Sequence, residues 1–471
     1  MSEPFQPIQS FYGGSEVPLR FEADIYDCEV IGKIPVELEG TLYRLGPDTQ
    51  YPTLQGDVII NGDGMISAFD FREGNVSFKN RYVKTERLLK ERQAHHRLFG
   101  RYRNRHTDAI DTQGVDRDNT GNTTALFHAG KLFALREDSL PHQIDPDTLA
   151  TLPKWDFAGA IKSTGITAHP KIDPVTGEWW SYSFFARGTL DPDMALQVID
   201  AKGRLRREEF FRAPYGGVAH DFGVTREHVI FVVMPLTVDP ERIDAGGDFY
   251  AYDPDLPSLW GIMRRDAGVG SIRWFRLKDC FSGHVMNAYT EGDRVHIDAT
   301  ISPGNAFTFF KDVKGNPTDP RQGIAQMTRL SFDLSSRTDH VVRRPFPGAI
   351  GEMPRCDPRR TMSKYRFGYF KTRDGLARLD WQTGELLAHA TPGSRGAQEP
   401  VFVPRNAESP EGDGFVLSLV NMPTEGIAEL RVLDAIRFDQ EPVARVRLPF
   451  RQPMAFHGNF VSRTERTQSP T

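Results

Sequence analysis

The chain has 471 residues, of which 39% are hydrophobic and 26% charged, and its formal net charge is −5. This mildly acidic balance supplies no basic surface for nucleic acid or for an anionic membrane, which excludes both as expected partners. The three cysteines, Cys28, Cys280 and Cys356, are too few and too widely spaced to predict a disulfide framework or a structural zinc knuckle.

The predicted elements are short. The sequence has 42 Gly and 33 Pro along its length, which leaves little room for long helices. In order along the sequence, we predict a helix within 83–102, a strand at 228–234, a short helix near 239–243, and strands at 295–300 and 414–420. Polar turns at 128–131, 291–293 and 411–414 separate such runs. This pattern favours an all-β barrel, sandwich or propeller.

No repeat and no linker divides the sequence. We therefore predict one domain over 1–471, with helical cap insertions near 83–103 and 236–265 and a frayed tail over 462–471. The N-terminal residues lack a signal-peptide pattern, and the apolar run at 229–234 is too short to cross a bilayer. We expect a cytoplasmic protein without membrane insertion.

Four of the 13 histidines have unusual surroundings. Each lies beside small residues and next to a β-type run. An imidazole ring that points from the end of a strand into a crowded centre needs such small neighbours. The four are His169, His220, His284 and His457. A single histidine is more often a surface or core residue than a ligand. Because no local motif such as HExxH is present, the spacing alone is weak support for a metal. A propeller could bring four such distant strands to one axis.

These surroundings, together with segments 35–47 and 61–65, resemble the carotenoid cleavage oxygenases over nearly the whole sequence. The resemblance implies a seven-bladed β-propeller with a helical and loop cap over the active-site face. It also implies one Fe(II) for each protein molecule, held by His169, His220, His284 and His457. O2 would be the co-substrate, and no organic cofactor is expected.

The resemblance assigns further residues. Glu137, Glu352 and Glu399 match glutamates that accept the second ring N–H of metal-bound histidines. Taken alone, each would be a solvated surface carboxylate, the commoner case for glutamate. Thr123 matches a residue whose methyl group restricts one open iron position; taken alone, it would be an ordinary strand threonine.

Within the family, segments 98–104, 270–276 and 403–414 are similar to a bacterial branch that acts on lignin-derived phenols, the lignostilbene dioxygenases and isoeugenol monooxygenases. In that branch a Tyr and a Lys bind the 4-hydroxyl group of the substrate. Tyr102 matches the Tyr, but Arg136 stands at the Lys position. Arginine can stabilise a phenolate but cannot serve as a base.

The resulting hypothesis is an O2-dependent cleavage of the alkene double bond in the substituent of a 4-hydroxyphenyl ring. The substrate would be of the 4-vinylguaiacol, isoeugenol or lignostilbene type, and the products a vanillin-type aldehyde and a second aldehyde. One alternative is an oxygenase for apocarotenoids or other polyenes, against which the mean hydropathy of −0.46 argues mildly. The other is an iron-free propeller hydrolase or binding module. Three questions stay open. They are whether the substrate has one aromatic ring or is a stilbene, whether one or both atoms of O2 enter the products, and whether the protein is a monomer or a homodimer.

Overall fold

Short strands and polar turns build seven antiparallel sheets of four or five strands each. The computed structural model describes residues 5, 8–9, 15–188 and 190–467. Within these residues the inner strands of neighbouring sheets contact one another around a common axis. The predicted seven-bladed β-propeller is confirmed.

The blades are numbered here in sequence order. Blade 1 contains Ala23–Ile25, Gly40–Pro47, Gly64–Arg72, Asn75–Tyr82 and His457–Ser462. Blade 2 contains Thr124–His128, Lys131–Leu135, His142–Ile144 and Thr151–Lys154. Blade 3 contains Lys171–Ile172, Trp179–Ser183, Asp193–Ile199 and Leu205–Arg212. Blade 4 contains Phe222–Val224, His228–Val233, Ser258–Arg264 and Arg273–Leu277.

The remaining blades follow in the same order. Blade 5 contains Phe281–Glu291, Arg294–Ser302, Gln326–Asp333 and Val341–Ile350. Blade 6 contains Glu352–Cys356, Phe367–Lys371, Gly375–Asp380 and Leu386–Ala390. Blade 7 contains Val401–Pro404, Gly414–Met422, Ile427–Asp434, Ala444–Leu448 and Glu29–Gly32. Two further hairpins pair Ile8–Gln9 with Ser15–Glu16 and Leu236–Val238 with Tyr250–Tyr252.

Strands from early and late parts of the sequence close the ring. His457–Ser462 pairs with Gly40–Pro47 in blade 1, with His457 opposite Leu45. Glu29–Gly32 completes blade 7 against Ala444–Leu448. Each of these two blades therefore combines segments that are more than 400 residues apart in the sequence.

The strands form where alternating β-type residues meet turn residues. The predicted strands at 228–234, 295–300 and 414–420 are all present. In the hairpin at 128–131, Ala129 and Gly130 both have positive φ, 49° and 75°, as a tight two-residue hairpin turn requires. Aromatic side chains then pack between blades, as Phe211 and Phe231 do at 4.7 Å between ring centroids.

Helices are few among the described residues. The helix predicted within 83–102 is shorter than expected: it covers Glu86–Ala94, is capped by the Thr85 side chain, and ends where His95 takes a left-handed conformation with φ 59°. The second is a single turn, Pro240–Asp244, with Asp239 as its N-cap. Arg463–Thr467 is the third. Short 3-10 turns lie at Ile59–Asn61, Arg105–Thr107, Val269–Ser271, Pro320–Gly323 and Pro358–Arg360. None of the described helices is long and apolar enough to cross a membrane.

Two expected segments differ in detail from the structure. The 236–265 insertion is mostly strand, because Gly246 and Gly247 end its helix and Leu259, Trp260 and Ile262 form a buried strand of blade 4. In the expected frayed tail, Ser462 ends a strand and 463–467 are helical, with Arg463 bonded to the Phe71 carbonyl oxygen; 468–471 lie outside the described residues. Asn104, directly after the first expected insertion, donates its side-chain N–H groups to the carbonyl oxygens of Ile243 and Gly247 in the second.

Candidate metal centre

Four blades each carry one histidine to the axis. His169 and His220 lie two residues before the inner strands of blades 3 and 4, Lys171–Ile172 and Phe222–Val224. His284 lies inside the inner strand of blade 5, and His457 begins the inner strand of blade 1. Histidines separated by tens of residues or more in sequence are thus brought to one point by the ring.

The four imidazole rings form a tight cluster. The centroid of the His169 ring lies 4.5 Å from that of His220, 5.2 Å from that of His284 and 4.6 Å from that of His457. The Nε2 atoms of His220 and His284 are 3.1 Å apart. Nitrogens of His169, His220 and His284 all lie within 4.8 Å of one another, a spacing that suits a shared metal ion.

Three glutamates, one from each remaining blade, fix three of these rings. The Nδ1 of His284 donates to Glu352 Oε2 at 2.7 Å, and that of His457 donates to Glu399 Oε1 at 2.8 Å. Glu137 makes the same contact with His220 Nδ1. Because Nδ1 carries the proton, the Nε2 lone pairs can face the axis. All seven blades therefore contribute a side chain to the centre.

Electrostatics fit this arrangement. Burial raises the pKa of Glu399, but Arg355 and His457 outweigh burial and lower it to about 2. Burial similarly opposes ionisation of Glu352, yet the His284 partner brings its pKa below the ordinary value. Both carboxylates are therefore anionic at neutral pH and can offset part of the charge of a cation bound by neutral imidazoles.

His169 has no carboxylate partner of this kind among the described residues. Its Nε2 is buried without a hydrogen bond, and burial lowers the pKa of the ring well below its ordinary value. The His169 ring is thus a neutral imidazole whose unbonded nitrogen lies among three other imidazole rings. Divalent transition metals bind such a set of imidazole nitrogens. The residues present therefore fit an iron(II) ion.

Small residues make room for the centre, as the sequence pattern indicates. A Cβ atom on Gly283 would lie 2.0 Å from Glu352 Oε1 and 2.7 Å from Thr300 Oγ1. The same Thr300 hydroxyl donates to Glu352 Oε1 at 2.6 Å. Gly283 therefore leaves the space that the carboxylate occupies beside His284.

A cavity of about 670 Å³ opens onto the cluster. Its lining includes His220, His284 and His457 together with the three glutamates. Apolar side chains such as Phe307, Ile350 and Phe456 form much of the remaining wall. A volume of this size is typical of cavities that enclose a drug-sized organic molecule.

The residues expected to bind a phenol lie at one side of this centre. Thr123 and Arg136 line the cavity. Arg136 Nη1 donates to the Ile60 carbonyl oxygen at 2.8 Å and to Asn122 Oδ1 at 3.1 Å. Tyr102 is not a lining residue; its ring packs 5.3 Å from the Arg136 guanidinium carbon. The buried Tyr102 hydroxyl has no hydrogen-bond partner among the described residues.

Sequence reasoning missed several residues that build the site. Asn122 accepts from both Arg136 and Thr123, and Lys371 lies inside the cavity. Asp221 accepts the backbone N–H of Val285 at 2.8 Å and thus joins the strands that carry His220 and His284. The position of Asp221 directly after His220 was the only local signal for its role.

Known proteins resemble this chain over nearly its full length. The family model for the retinal pigment epithelial membrane protein matches residues 16–462. Lignostilbene-alpha,beta-dioxygenase isozyme III of Sphingomonas paucimobilis is 38% identical, covering 94% of this chain and 95% of the relative. Isoeugenol monooxygenase of Pseudomonas nitroreducens is 37% identical, covering 96% and 97%.

Solved structures agree in fold. The crystal structure of Pseudomonas brassicacearum lignostilbene dioxygenase has a TM-score of 0.93 at 38% identity, covering 98% of this chain and 100% of that protein. A mutant of Synechocystis apocarotenoid oxygenase has a TM-score of 0.84 at 24% identity, covering 97% and 100%. The second likeness concerns the fold alone.

Proposed function

The chain belongs to the retinal pigment epithelial membrane protein family, the carotenoid cleavage oxygenases, and on that premise we propose that it uses O2 and iron(II) to split the alkene double bond of a 4-hydroxyphenyl alkene. Family membership makes it an oxygenase that cleaves carbon–carbon double bonds. The alternative of a propeller hydrolase or binding module is therefore wrong.

One observation carries the proposal: four histidine rings and three glutamates converge at a large cavity that Arg136 also lines. His169, His220, His284 and His457 would hold the iron, and Glu137, Glu352 and Glu399 would orient three of them. Bound iron(II) would supply the centre at which O2 is activated. The apolar part of the wall would exclude water from the alkene.

Arg136 would bind the substrate's hydroxyl group. Its Nη1 is held by Ile60 and Asn122, and its Nε lies 3.6 Å from Asp138 Oδ1, which together fix the guanidinium; Nη2 makes no hydrogen bond to the described residues. A permanent cation at this place lowers the pKa of a bound phenol and stabilises the phenolate. The phenolate in turn pushes electron density through the ring into the alkene, which favours reaction with O2.

Tyr102 would be the second donor to that oxygen. Burial raises the pKa of Tyr102 even though Arg136 and Arg103 oppose this, so the hydroxyl keeps its proton at neutral pH. A buried hydroxyl without a partner is costly in a folded protein, and a substrate hydroxyl group would satisfy it. Thr123, whose hydroxyl donates to Asn122 Oδ1 at 2.9 Å, would turn its methyl group toward the centre and limit access there.

The proposed reaction consumes one alkene and one O2 molecule and yields two carbonyl compounds. Each carbon of the former double bond receives one oxygen atom, and no external reductant is needed. The names of the relatives, lignostilbene dioxygenase and isoeugenol monooxygenase, support substrates of these two kinds. Cleavage of such an alkene next to its 4-hydroxy-3-methoxyphenyl ring would give a vanillin-type aldehyde.

The test compares Tyr102→Phe with the wild type on 4-vinylguaiacol and on its 4-methoxy analogue. We expect kcat/KM for the phenol to fall about tenfold or more in Tyr102→Phe, because a hydrogen bond to a charged oxygen is lost. Phenylalanine keeps the ring contact with Arg136, so unchanged turnover of the phenol would assign Tyr102 a packing role and contradict the proposal. Tyr26→Phe is the matched control, since Tyr26 is 81% exposed.

A further inference from the structure

A second group of cations lines the same cavity, away from Arg136. Lys371 is only 7% exposed, whereas Arg373 and Arg395 are exposed at the outer part of the lining. Lys371 ends the second strand of blade 6, Arg373 follows it, and Arg395 lies on the segment that leads into blade 7. The cavity therefore has one buried ammonium group with two guanidinium groups farther out.

The ring places this group across the axis from the phenol region. Arg136 belongs to the segment that follows the second strand of blade 2, and Lys371 belongs to blade 6. The inner strands contact one another in the order blade 2, 1, 7, 6. Blades 2 and 6 are therefore three blades apart, which is the largest separation possible in a ring of seven blades. A molecule that reaches from Arg136 to Lys371 consequently passes the histidine cluster on the axis.

The position of the Lys371 ammonium group follows from its neighbours. Lys371 is the strand partner of Glu352, which holds His284. A Cβ atom on Gly396 would lie 3.4 Å from Lys371 Nζ, which places the ammonium group beside the segment that leads to Glu399. Lys371 Nζ therefore lies between the two blades that contribute these glutamates.

Each carboxylate that lines the cavity is bonded to a histidine. Glu137, Glu352 and Glu399 are the carboxylates that line the cavity within the described residues, and each accepts a hydrogen bond from a histidine. Burial lowers the pKa of Lys371 to about 8, so the group is still mainly protonated at neutral pH. A ligand carboxylate beside it would favour the charged form further.

We propose that Lys371, with Arg373 and Arg395 farther out, binds a carboxylate on the half of the alkene substrate that lies across the axis from Arg136. This inference rests on the proposed function and narrows it. The carboxylate can sit directly on the alkene, as in a 4-hydroxycinnamate, or on the second ring of a stilbene. The shared chemistry is a phenol at one end, an alkene at the centre and an anion at the other end.

The test uses matched substrate pairs with the iron-loaded enzyme. One pair is a 4-hydroxystilbene with a carboxylate on its second ring and the same stilbene with a neutral carboxamide there. The other is ferulate and 4-vinylguaiacol. We expect kcat/KM to favour the carboxylate of at least one pair, and the preferred pair tells whether the carboxylate sits on the ring or on the alkene.

Variants then assign the preference to residues. In Lys371→Met the ratio of kcat/KM for the carboxylate to its neutral partner should fall about tenfold or more, because the ligand anion loses a charged partner. Arg373→Ala and Arg395→Ala should lower the ratio a few-fold and make it less sensitive to salt. Arg206→Ala, on the outer strand of blade 3, is the control and should leave the ratio unchanged.

A binding measurement separates this inference from the proposed function. The saturated bibenzyl carboxylate cannot be cleaved, and its affinity can be measured by calorimetry in the wild type and in Lys371→Met. Weaker binding to Lys371→Met supports the anion site even if no alkene is cleaved, which would overturn the function alone. Equal binding to both proteins, or cleavage without a Lys371-dependent preference for the carboxylate, overturns the anion site.

Discussion

Glu352 shows how one residue sets the direction of a histidine ring. Its Oε2 accepts from His284 Nδ1 at 2.7 Å and from the Met353 backbone N–H at 2.8 Å, while Thr300 donates to Oε1. The carboxylate is therefore held from three sides. In the proposed centre this contact would keep the proton on Nδ1 and the Nε2 lone pair toward the metal.

Replacing Glu352 by glutamine keeps the volume but removes the charge. We expect Glu352→Gln to weaken iron(II) binding about 10- to 100-fold, the usual cost of losing a partner of a metal-bound histidine. The measurement is iron content per protein molecule after equilibration with graded chelator. Glu441→Gln serves as the control because Glu441 is an exposed residue; equal iron retention by both variants would contradict the assigned role.

Gly283 tests the same contact without touching a polar group. The methyl group of Gly283→Ala would lie 2.0 Å from Glu352 Oε1, so the carboxylate must move away from His284. We expect weaker iron binding than in the wild type, by the same chelator titration. Gly270→Ala is the matched control, since a Cβ atom there meets nothing within 4 Å. Iron binding as tight as that of the control would show that the site tolerates the shift.

The three glutamates also mark the limit of residue-by-residue prediction. Each is separated from its histidine by 83, 68 or 58 residues, so no local pattern reports the contact. Read singly, they predict surface carboxylates; only the family resemblance assigns them. The small residues beside the histidines were a weak local signal of the site. Gly283 shows the steric reason, because a Cβ atom there would collide with the Glu352 carboxylate.

At the scale of elements, the inner strands hold the histidines in register with one another. The Asp221 carboxylate accepts three hydrogen bonds. Its Oδ2 accepts from the Val285 backbone N–H, and its Oδ1 accepts from the Lys171 ammonium group and from the Phe222 backbone N–H. It thereby links the inner strands of blades 3, 4 and 5. These three strands carry or directly follow His169, His220 and His284.

An asparagine at 221 would present an amide N–H to one of these donors. We expect Asp221→Asn to lower the free energy of unfolding by about 1–3 kcal/mol, because a buried donor loses its acceptor. Iron binding should weaken as well, since two ligand strands lose their link. Denaturant unfolding of the metal-free protein measures the first effect. Asp439→Asn, at an exposed position, is the control; a change no larger than in that control would contradict the linking role.

Element prediction succeeded where local chemistry decides. The helix at Glu86–Ala94 follows from a run of helix-forming residues, and the strands at 295–300 and 414–420 follow from turn residues and β-branched or apolar side chains. The prediction overestimated the helical content of 236–265, because part of this segment is buried as a strand of blade 4. The number of blades could not be read from the sequence, because no repeat marks them; the resemblance supplied it.

At the scale of the molecule, closure of the ring and completion of the centre are one event. His457 begins the strand that pairs with Gly40–Pro47, so the fourth histidine arrives only when the last blade-1 strand is in place. The seven glutamate and histidine side chains come from seven blades. A cluster of this kind depends on the whole ring rather than on any one segment.

This dependence separates two variants. His457→Ala keeps the closing strand but removes a proposed ligand. We therefore expect iron(II) to raise the Tm of the wild type but not that of this folded variant. Truncation after residue 456 removes the strand itself and should lower Tm markedly even without iron. Thermal unfolding by circular dichroism measures both. A truncated protein as stable as metal-free wild type would show that closure does not require this strand.

Cleavage of a phenolic alkene at bound iron is tested most directly by loading the protein anaerobically with iron(II), adding 4-vinylguaiacol, isoeugenol or a 4-hydroxystilbene in air, and separating the products by chromatography. We expect one iron per protein molecule and a vanillin-type aldehyde from at least one of these alkenes, with a second aldehyde in equal amount. Iron bound at that stoichiometry with every alkene recovered intact would contradict the assignment of phenolic alkenes as substrates and favour a polyene instead.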